Sequence, residues 1–288
     1  MGTKKVDEVT GVETTGHVWD GIAELNNPLP RWWVWTFWIT IIWSIGYWIV
    51  YPAWPLLNSY TPGIFGYSER KVIVEDMAKL NAARAESAKK LLDASLEDIK
   101  NNPDLLNFAR AMAKPAFGDN CAACHGTGAS GSKGFPNLND DDWLWGGTLD
   151  DIYTTIRVGA RDKHEDTRTN DMPAFGKDDI LDKKQITDVA GYVLSLSGGK
   201  VEGADVAAGK ALFEENCASC HGENAKGQTE LGAPNLTDDI WLYGGDEATV
   251  INTITNARKG KMPTWEGRLS PALIKALAVY VHTLGGGK

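Results

Sequence analysis

The chain has 288 residues, with 29 lysines and arginines against 38 aspartates and glutamates and a formal net charge of −9 at pH 7. This acidic balance disfavours nucleic acid as a partner and is compatible with electrostatic attraction of a basic protein. Hydrophobic residues make up 43% of the chain, and a mean hydropathy of −0.27 leaves room for one membrane span rather than several.

An uncharged apolar segment near the N-terminus predicts a membrane span. No charged residue occurs from Trp32 to Ser68, and residues 32–51 alone would cross about 30 Å as a helix. The run is too long and begins too late for a cleaved signal peptide, and no small-residue cleavage site follows it. We predict one uncleaved anchor at 32–54, after an N-terminal segment at 1–31. Tryptophans lie towards both ends of the anchor, as in interfacial aromatic belts: Trp32, Trp33 and Trp35 at the first, Trp48 and Trp54 at the second.

A stripe of small polar residues runs along this anchor. Thr36, Thr40 and Ser44 recur every fourth position among bulky residues. In lipid such a stripe allows a second helix to approach closely and to form hydrogen bonds. The alternative is that each hydroxyl bonds to a carbonyl of its own helix. We predict that the stripe faces a partner subunit.

The segment 55–103 is predicted to be a linker that carries an exposed helix. Between Ser68 and Asn102, alanines, lysines and acidic residues recur at helical spacing. This pattern is typical of a solvated helix.

Two CxxCH motifs use every cysteine in the chain, at the spacing of covalent haem c attachment. Zinc would need four strong ligands at each site, which two isolated motifs do not simply supply, and a disulfide would leave the histidines unexplained. The sequence therefore predicts two covalently bound haem c groups and electron transfer. The cysteines would form thioethers and each histidine would ligate iron: Cys121, Cys124 and His125 in the first motif, Cys217, Cys220 and His221 in the second.

Each haem iron needs a sixth ligand, and two methionines follow the motifs. Met172 and Met262 each precede a proline, which stiffens the loop that would hold the thioether. The remaining histidines, His17, His164 and His282, are predicted to be structural. His/Met coordination raises the haem potential and leaves no open iron position, which favours a relay over a catalytic haem.

The second motif lies in a repeat of the first. Pro136-Asn137-Leu138 matches Pro234-Asn235-Leu236, and the following tryptophan and glycines match at the same offset of 98. The offset falls to 90 at the methionines, so the first copy has about eight extra residues near 162–170. The repeat predicts two copies of one small fold, at 104–199 and 200–288.

Each copy is predicted to consist of a helix, a haem loop and a closing helix. Asp205 can cap the helix ahead of the second motif, and Ser270-Pro271 can begin the closing helix. Pro115 is expected to kink or interrupt the opening helix of the first copy. Strand signals are weak throughout, so the fold class is predicted to be mainly α.

Both copies resemble class I cytochrome c. The resemblance implies an N-terminal transmembrane helix followed by two tandem class I cytochrome c domains. It also implies that Pro136 and Pro234 offer a backbone carbonyl to the ligand histidine, and that Trp143 and Trp241 lie near a haem propionate. Core packing is the alternative for the two tryptophans.

The site of haem attachment predicts the orientation of the chain. Haem c is attached outside the bacterial cytoplasmic membrane, whereas the bias of lysine and arginine around the span is small. We therefore predict a cytoplasmic segment at 1–31 and a periplasmic linker and haem domains.

The N-terminal region carries a more specific resemblance. Together with the two haem units, it is similar to subunit III of cbb3-type cytochrome c oxidase over nearly the whole chain. The resemblance implies an inner-membrane respiratory subunit that takes electrons from a cytochrome bc complex or a soluble cytochrome c. It would pass them to a monohaem subunit and on to the haem-copper subunit that reduces oxygen, without itself catalysing a reaction. The residues that carry the resemblance are Trp19-Asp20-Gly21-Ile22, Glu24-Leu25-Asn26-Asn27-Pro28-Leu29-Pro30-Arg31-Trp32-Trp33, Gly46-Tyr47-Trp48 and Tyr51-Pro52-Ala53-Trp54-Pro55.

Two other functions and one pairing stay open. A cytochrome subunit of a periplasmic dehydrogenase would be a relay with a different partner, and a dihaem peroxidase would need an exchangeable iron ligand. The simplest pairing of ligands is local, Met172 with His125 and Met262 with His221, and the repeat favours it. The alternative is an exchange in which each methionine crosses to the haem of the other copy.

Overall fold

The computed structural model describes residues 4–286 of the chain. These residues divide into two compact units, one ending at Asn81 and the other beginning at Ala82. The structure is mainly helical, as the sequence predicts.

The first unit contains a β-hairpin that the sequence analysis did not predict. β1 (Thr14–Trp19) and β2 (Ile22–Leu25) pair in antiparallel fashion, with Trp19 opposite Ile22. Asp20 and Gly21 form the turn, with φ angles of 48° and 85°. Asp-Gly is a preferred sequence for two-residue hairpin turns. This dipeptide therefore indicates a hairpin even though the strand pattern on either side of it is weak.

The membrane segment forms α1 (Arg31–Val50), a helix of 20 residues with none of them buried. It is long and apolar enough to cross a membrane, which matches the predicted span. A returning loop closes its C-terminal end, because the N–H groups of Ile64 and Phe65 donate to the carbonyls of Ile49 and Val50 (3.1 and 3.0 Å).

The hydroxyl groups of the predicted stripe bond within α1. Thr36 donates to the Trp32 carbonyl (2.9 Å), Thr40 to that of Phe37 (2.8 Å) and Ser44 to that of Thr40 (2.8 Å). This is the alternative that the sequence analysis did not favour. A contact with another subunit would therefore depend on the small size of these residues rather than on their hydroxyls.

Three helices lead to the first haem motif. α2 (Glu69–Asp93) is the exposed helix predicted in the linker, with only Leu91 buried. α3 (Leu96–Asn101) and α4 (Pro103–Asn120) follow, capped by the side chains of Ser95 and Asn102. The interruption that was one of the two expected effects of Pro115 does not occur, because α4 continues on both sides of the proline. Ala113 and Phe117 are buried on either side of the proline, and we attribute the continuity of the helix to their packing.

The two haem motifs and their surrounding helices form the rest of the second unit. The predicted caps are present: Asp205 accepts from the first N–H groups of its helix, and Ser270 precedes Pro271 and accepts from Leu273. In chain order the helices are α5 (Ala122–His125), α6 (Leu149–Val158), α7 (Lys183–Ser195), α8 (Val206–Asn216), α9 (Ala218–His221), α10 (Glu247–Asn256) and α11 (Pro271–His282).

Two hydrophobic cores form in this unit, and each combines helices from both copies of the repeat. The first core joins α4 and α6 to α11, and the second core joins α8 and α10 to α7. Ring centroids of Phe117 and Tyr280 are thus 5.7 Å apart in the first core, and those of Phe213 and Tyr192 are 5.3 Å apart in the second. This packing differs from the predicted contiguous domains at 104–199 and 200–288, because their closing helices are exchanged.

The chain crosses between the cores in the two loops that carry the methionines. Ala160 and Met262 exchange backbone hydrogen bonds of 2.9 and 3.0 Å, and Phe175 donates to the carbonyl of Ile254 (3.1 Å). Gly159 has a φ of 71°, and a Cβ there would lie 2.5 Å from the Met262 carbonyl oxygen. The crossing of the first loop therefore requires glycine at this position.

Candidate haem-binding sites

Each CxxCH motif forms a single helical turn at the end of a longer helix. Cys121 donates through its N–H to the Phe117 carbonyl (2.8 Å), and its own carbonyl accepts from Cys124 and His125 (3.1 and 2.9 Å). Residues three apart in a helical turn lie on the same face, so the two cysteines of the motif share one face of the turn. The same bonds recur at the second motif, between Cys217 and Phe213 and from Cys220 and His221 to Cys217.

A proline carbonyl orients each motif histidine. The Nδ1 atom of His125 lies 3.0 Å from the Pro136 carbonyl oxygen, and that of His221 lies 3.0 Å from the Pro234 oxygen. Because a carbonyl oxygen can only accept, Nδ1 carries the proton and Nε2 keeps its lone pair for a metal. These are the contacts that the resemblance to class I cytochrome c implied.

A glycine allows each haem loop to fold back on its histidine. Gly131 donates to the carbonyl of His125 and Gly227 to that of His221, both at 2.8 Å. Both glycines have positive φ, and a Cβ at Gly131 would lie 2.6 Å from the Asn137 nitrogen. A larger residue would therefore push the proline carbonyl away from the imidazole.

Burial sets the protonation of these side chains. It raises the pKa of Cys121 and of Cys217 to about 11, with a further contribution from the second cysteine of each motif. Burial also lowers the pKa of His125 and His221, against the opposing effect of the bond to the proline carbonyl. The imidazoles are thus neutral at pH 7, which is the form that ligates iron.

Each methionine lies in the core that contains the motif of the other copy. Met262 packs against the first core, as does Cys121, whereas Met172 packs against the second core, as does Cys217. The structure therefore does not bring together the residues of the local pairing that the sequence favoured. It brings together those of the crossed alternative.

The two candidate tryptophans differ in their hydrogen bonds. Trp143 donates through Nε1 to the carbonyl of Gly286, whereas Trp241 Nε1 has no protein acceptor among residues 4–286. A glycine accommodates each indole, since a Cβ at Gly147 or Gly245 would lie 2.5 Å from the Cδ1 atom of the ring. Both tryptophans pack against the cores.

The donor groups at both sites fit haem c. All four cysteines are free, and each motif adds an oriented neutral imidazole, with a thioether in the same core. These are the groups that covalently attached haem with His/Met ligation requires. In the part of the chain that the structure describes, no three His, Cys, Asp or Glu side chains gather into a separate metal site.

A cluster that the sequence analysis missed ties the two methionine loops together. Glu266 accepts from Arg157 (3.1 Å) and bonds to Nε2 of His164 (2.6 Å). These bonds, with that of His164 contributing most, lower the pKa of Glu266. His164, which lies among the extra residues of the first copy, thus has the kind of structural contact that was predicted for it. Its partner is 102 positions away, and no local pattern indicates a pair so distant.

Three protein families match successive parts of the chain. Residues 11–58 match the N-terminal domain of cytochrome oxidase-cbb3, FixP. Residues 111–197 match cytochrome c, and residues 204–281 match cytochrome c oxidase, cbb3-type, subunit III.

Similar proteins cover nearly the whole chain. The cbb3-type cytochrome c oxidase subunit FixP of Bradyrhizobium sp. (strain ORS 278) is 62% identical over 285 residues, which is 99% of this chain and 98% of the relative. The subunit CcoP of Azospirillum brasilense is 52% identical, with 100% of both chains covered. That of Cereibacter sphaeroides is 51% identical over 96% of this chain and 95% of the relative.

Proposed function

The chain belongs to the subunit III family of cbb3-type cytochrome c oxidases, and we propose that it relays electrons through two covalently bound haem c groups towards the catalytic subunit of the oxidase. The observation that carries the proposal is the doubled arrangement of a CxxCH turn and an imidazole fixed by a proline carbonyl. Each arrangement has a methionine in the same core. Ligation by histidine and methionine leaves no open iron position, which suits transfer of electrons better than reaction with peroxide.

We propose the site residues on the basis of this geometry. Each motif would attach one haem through two thioethers, and its histidine would ligate iron through Nε2. We assign Met262 to the haem of His125 and Met172 to the haem of His221, because each methionine shares a core with that motif. The attaching cysteines are Cys121 and Cys124 at the first site, and Cys217 and Cys220 at the second.

The chain contributes orientation, ligation and exclusion of water. When bound, haem c supplies a one-electron redox centre. Pro136 and Pro234 hold the histidines in one tautomer and one orientation. Gly159 and Ala160 hold the loop of Met262, and the apolar cores around the motifs keep water from the ligands. Fixed ligands reduce the reorganisation that accompanies each change of charge.

We propose that membrane anchoring through α1 keeps the relay near the other oxidase subunits. We infer a cytoplasmic N-terminal segment and periplasmic haem units, because haem c is attached outside the cytoplasmic membrane. The proposed donor is a cytochrome bc complex or a soluble cytochrome c, and the proposed acceptors are a monohaem cytochrome c subunit and the haem-copper subunit. The net charge of −9 would favour a basic soluble donor, and lipid would surround α1.

Removal of one attachment cysteine tests the relay. Cys121→Ala and Cys217→Ala should each abolish one covalent haem, and oxygen uptake fed by cytochrome c should fall sharply in the purified oxidase. Haem staining and oxidase turnover are the measurements. Full staining and full turnover in either variant would contradict the relay.

Variants with a single haem test the pairing of ligands in the full chain. Cys217→Ser combined with Cys220→Ser leaves only the haem of His125. In that background Met262→Ala should abolish the sulfur-to-iron absorption band and permit binding of carbon monoxide. Met172→Ala is the matched control and should change neither. The opposite result would restore the local pairing.

A further inference from the structure

An arginine lies over an aromatic ring at equivalent positions in both copies of the repeat. Arg168 and Arg258 each lie four residues before a Met-Pro pair. The guanidinium carbon of Arg168 is 5.6 Å from the ring centroid of Trp145, and that of Arg258 is 5.1 Å from the centroid of Tyr243. Trp145 and Tyr243 are themselves equivalent, each two residues after the tryptophan of its copy. An arrangement kept in both copies indicates a role that both sites share.

Arg168 has hydrogen-bond donors that the protein does not use. Its Nη2 atom bonds to Asp151, at 3.2 Å from the carbonyl oxygen and 3.4 Å from a carboxylate oxygen. Its Nε atom is buried and has no acceptor among residues 4–286. The side chain is only 16% exposed. An unpaired donor in a buried cation is costly, so this position calls for a further acceptor.

The neighbouring Arg161 shows that the unused donors belong to a particular arginine. Its guanidinium also lies over Trp145, at 5.9 Å. Its three nitrogens are all engaged, however, with Asp171 (2.8 Å), Gly260 (3.1 Å) and Asn170 (2.6 Å). Arg161 is therefore satisfied by the protein alone.

Arg258 is under-used in the same way. Within the described residues its only hydrogen bond is a long one, from Nε to the hydroxyl of Thr253 (3.4 Å), and no carboxylate of residues 4–286 pairs with it. The side chain is nevertheless half-buried. A guanidinium has five N–H donors in a planar fork that matches a carboxylate.

We propose that Arg168 and Arg258 bind the propionate carboxylates of the two haem c groups, which rests on the proposed function of the chain. Arg168 contacts the start of α6 in the first core, and Arg258 contacts α10 in the second core, so each serves the haem of its own core. The aromatic ring beneath each guanidinium fixes the plane of its fork. The propionates are the carboxylates that haem c brings to a site, and a charge-assisted pair satisfies both partners.

This assignment has an electrostatic consequence for the haem potentials. A cation beside a propionate offsets its negative charge. Without the arginine, the uncompensated propionate stabilises the more positive, oxidised state of the haem. Loss of each arginine should therefore lower the midpoint potential of one haem and not of the other.

The experiment replaces the arginines one at a time in the full-length, haem-loaded chain in detergent, and both midpoint potentials are measured by optical redox titration. Arg168→Gln should raise the ratio of oxidised to reduced haem at one site about tenfold at a fixed potential. This corresponds to a midpoint potential about 59 mV lower for one electron. Arg258→Gln should do the same to the other haem. Arg268→Gln is the matched control, because Arg268 also lies over a ring, that of Trp265 at 4.1 Å, but is exposed. It should move neither potential by a comparable amount.

The variants also separate charge from folding. Arg168→Lys keeps the charge and should recover most of the potential. Unchanged potentials in both glutamine variants, or the same shift in the Arg268→Gln control, would overturn the proposal while leaving the relay intact. A wild-type chain without covalent haem would instead overturn the proposed function. If Arg168→Gln does not fold, the Arg258→Gln titration decides the question for the second site.

Discussion

At the scale of single residues, the surroundings of Asp142 disfavour the ionised form of its carboxyl group. Burial, together with the negative charges of Asp238 and Asp140, raises the pKa of Asp142 from 3.8 to about 6. Asp140 and Asp238 occupy equivalent positions in the two copies of the repeat. The proximity of Asp238 to Asp142 therefore follows from the association of the two copies. The first copy alone would keep the repulsion from Asp140 but would lack that from Asp238.

Neutralising this carboxyl should stabilise the protein at neutral pH. The folded state holds the Asp142 proton more tightly than the unfolded state does, so its stabilising effect is complete below about pH 4 and is lost as the pH rises through about 6. Asp142→Asn should therefore increase the free energy of unfolding at pH 7.5 by about 1 kcal/mol after solvent screening, and so raise Tm. At pH 4 it should change Tm little.

Thermal unfolding followed by circular dichroism at both pH values checks this expectation. Asp238→Asn should give a smaller effect of the same sign, because it removes one of the two repelling charges. The difference in Tm between Asp142→Asn and wild type should be larger at pH 7.5 than at pH 4. A smaller difference at pH 7.5 would contradict the assigned cause of the pKa shift.

At Gly159 the cost of a steric clash can be measured separately from the cost of a positive φ. Gly159→Ala would bring Cβ to 2.5 Å from the Met262 carbonyl oxygen, so the loop that holds Met262 must move. We expect the free energy of unfolding to fall by more than the roughly 1 kcal/mol that alanine costs at a positive φ. The sulfur-to-iron band should also weaken. Gly203→Ala is the matched control, since Gly203 has a φ of 74° and no atom within 4 Å of its ideal Cβ. Equal losses of Tm in the two variants would show that the close approach is not limiting.

At the scale of elements, substitutions in the anchor helix can test the effect of side-chain size independently of the effect of hydrogen bonding. The hydroxyls of Thr36, Thr40 and Ser44 are satisfied within α1. Replacing all three with alanine should therefore leave co-purification with the oxidase unchanged. Replacing all three with leucine should release the chain from the oxidase while it stays in the membrane, because bulk prevents close approach of a partner helix. Co-purification of the leucine variant at the wild-type level would contradict a helix contact along the stripe.

The elements that the sequence predicted are those with a local signal. The caps at Asp205 and Ser270, and the apolar run of α1, each depend on neighbours a few positions away. The hairpin at β1 and β2 was missed because its strands are short and largely exposed, so they lack the apolar alternation that marks a buried sheet face. Pro115 was expected to kink or interrupt α4, because local propensity does not include the core contacts that surround the proline.

At the scale of the whole molecule, exchange of the closing helices makes the two haem units mutually dependent. α7 packs on α8, and α11 packs on α4 and α6, so each observed core contains residues from both 104–199 and 200–288. A protease site inserted between Gly198 and Gly199 should therefore yield two pieces that stay together after cleavage. Size-exclusion chromatography in detergent should show one peak, which separates only in denaturant. Two peaks under native conditions would contradict the exchanged packing.

The exchange itself could not be predicted from the sequence. Because the copies are alike, α4 presents to α11 the same kind of surface that it would present to α7, and the local and crossed arrangements bury similar side chains. The difference lies in the connections, including the extra residues in which His164 bonds to Glu266. Such contacts between distant loops have no periodic pattern, so the sequence indicated candidate ligands but not which of them share a core.

The packing of α11 on α4 also sets an order for biosynthesis. During translation α4 and the first CxxCH motif leave the ribosome well before α11, by roughly 10 s at ordinary elongation rates. The first core lacks its closing helix throughout this interval, whereas α8 finds α7 already made. The upstream site is therefore the later one to mature, and a nascent chain that stops short of Pro271 exposes apolar surface to proteases and chaperones in place of a finished core.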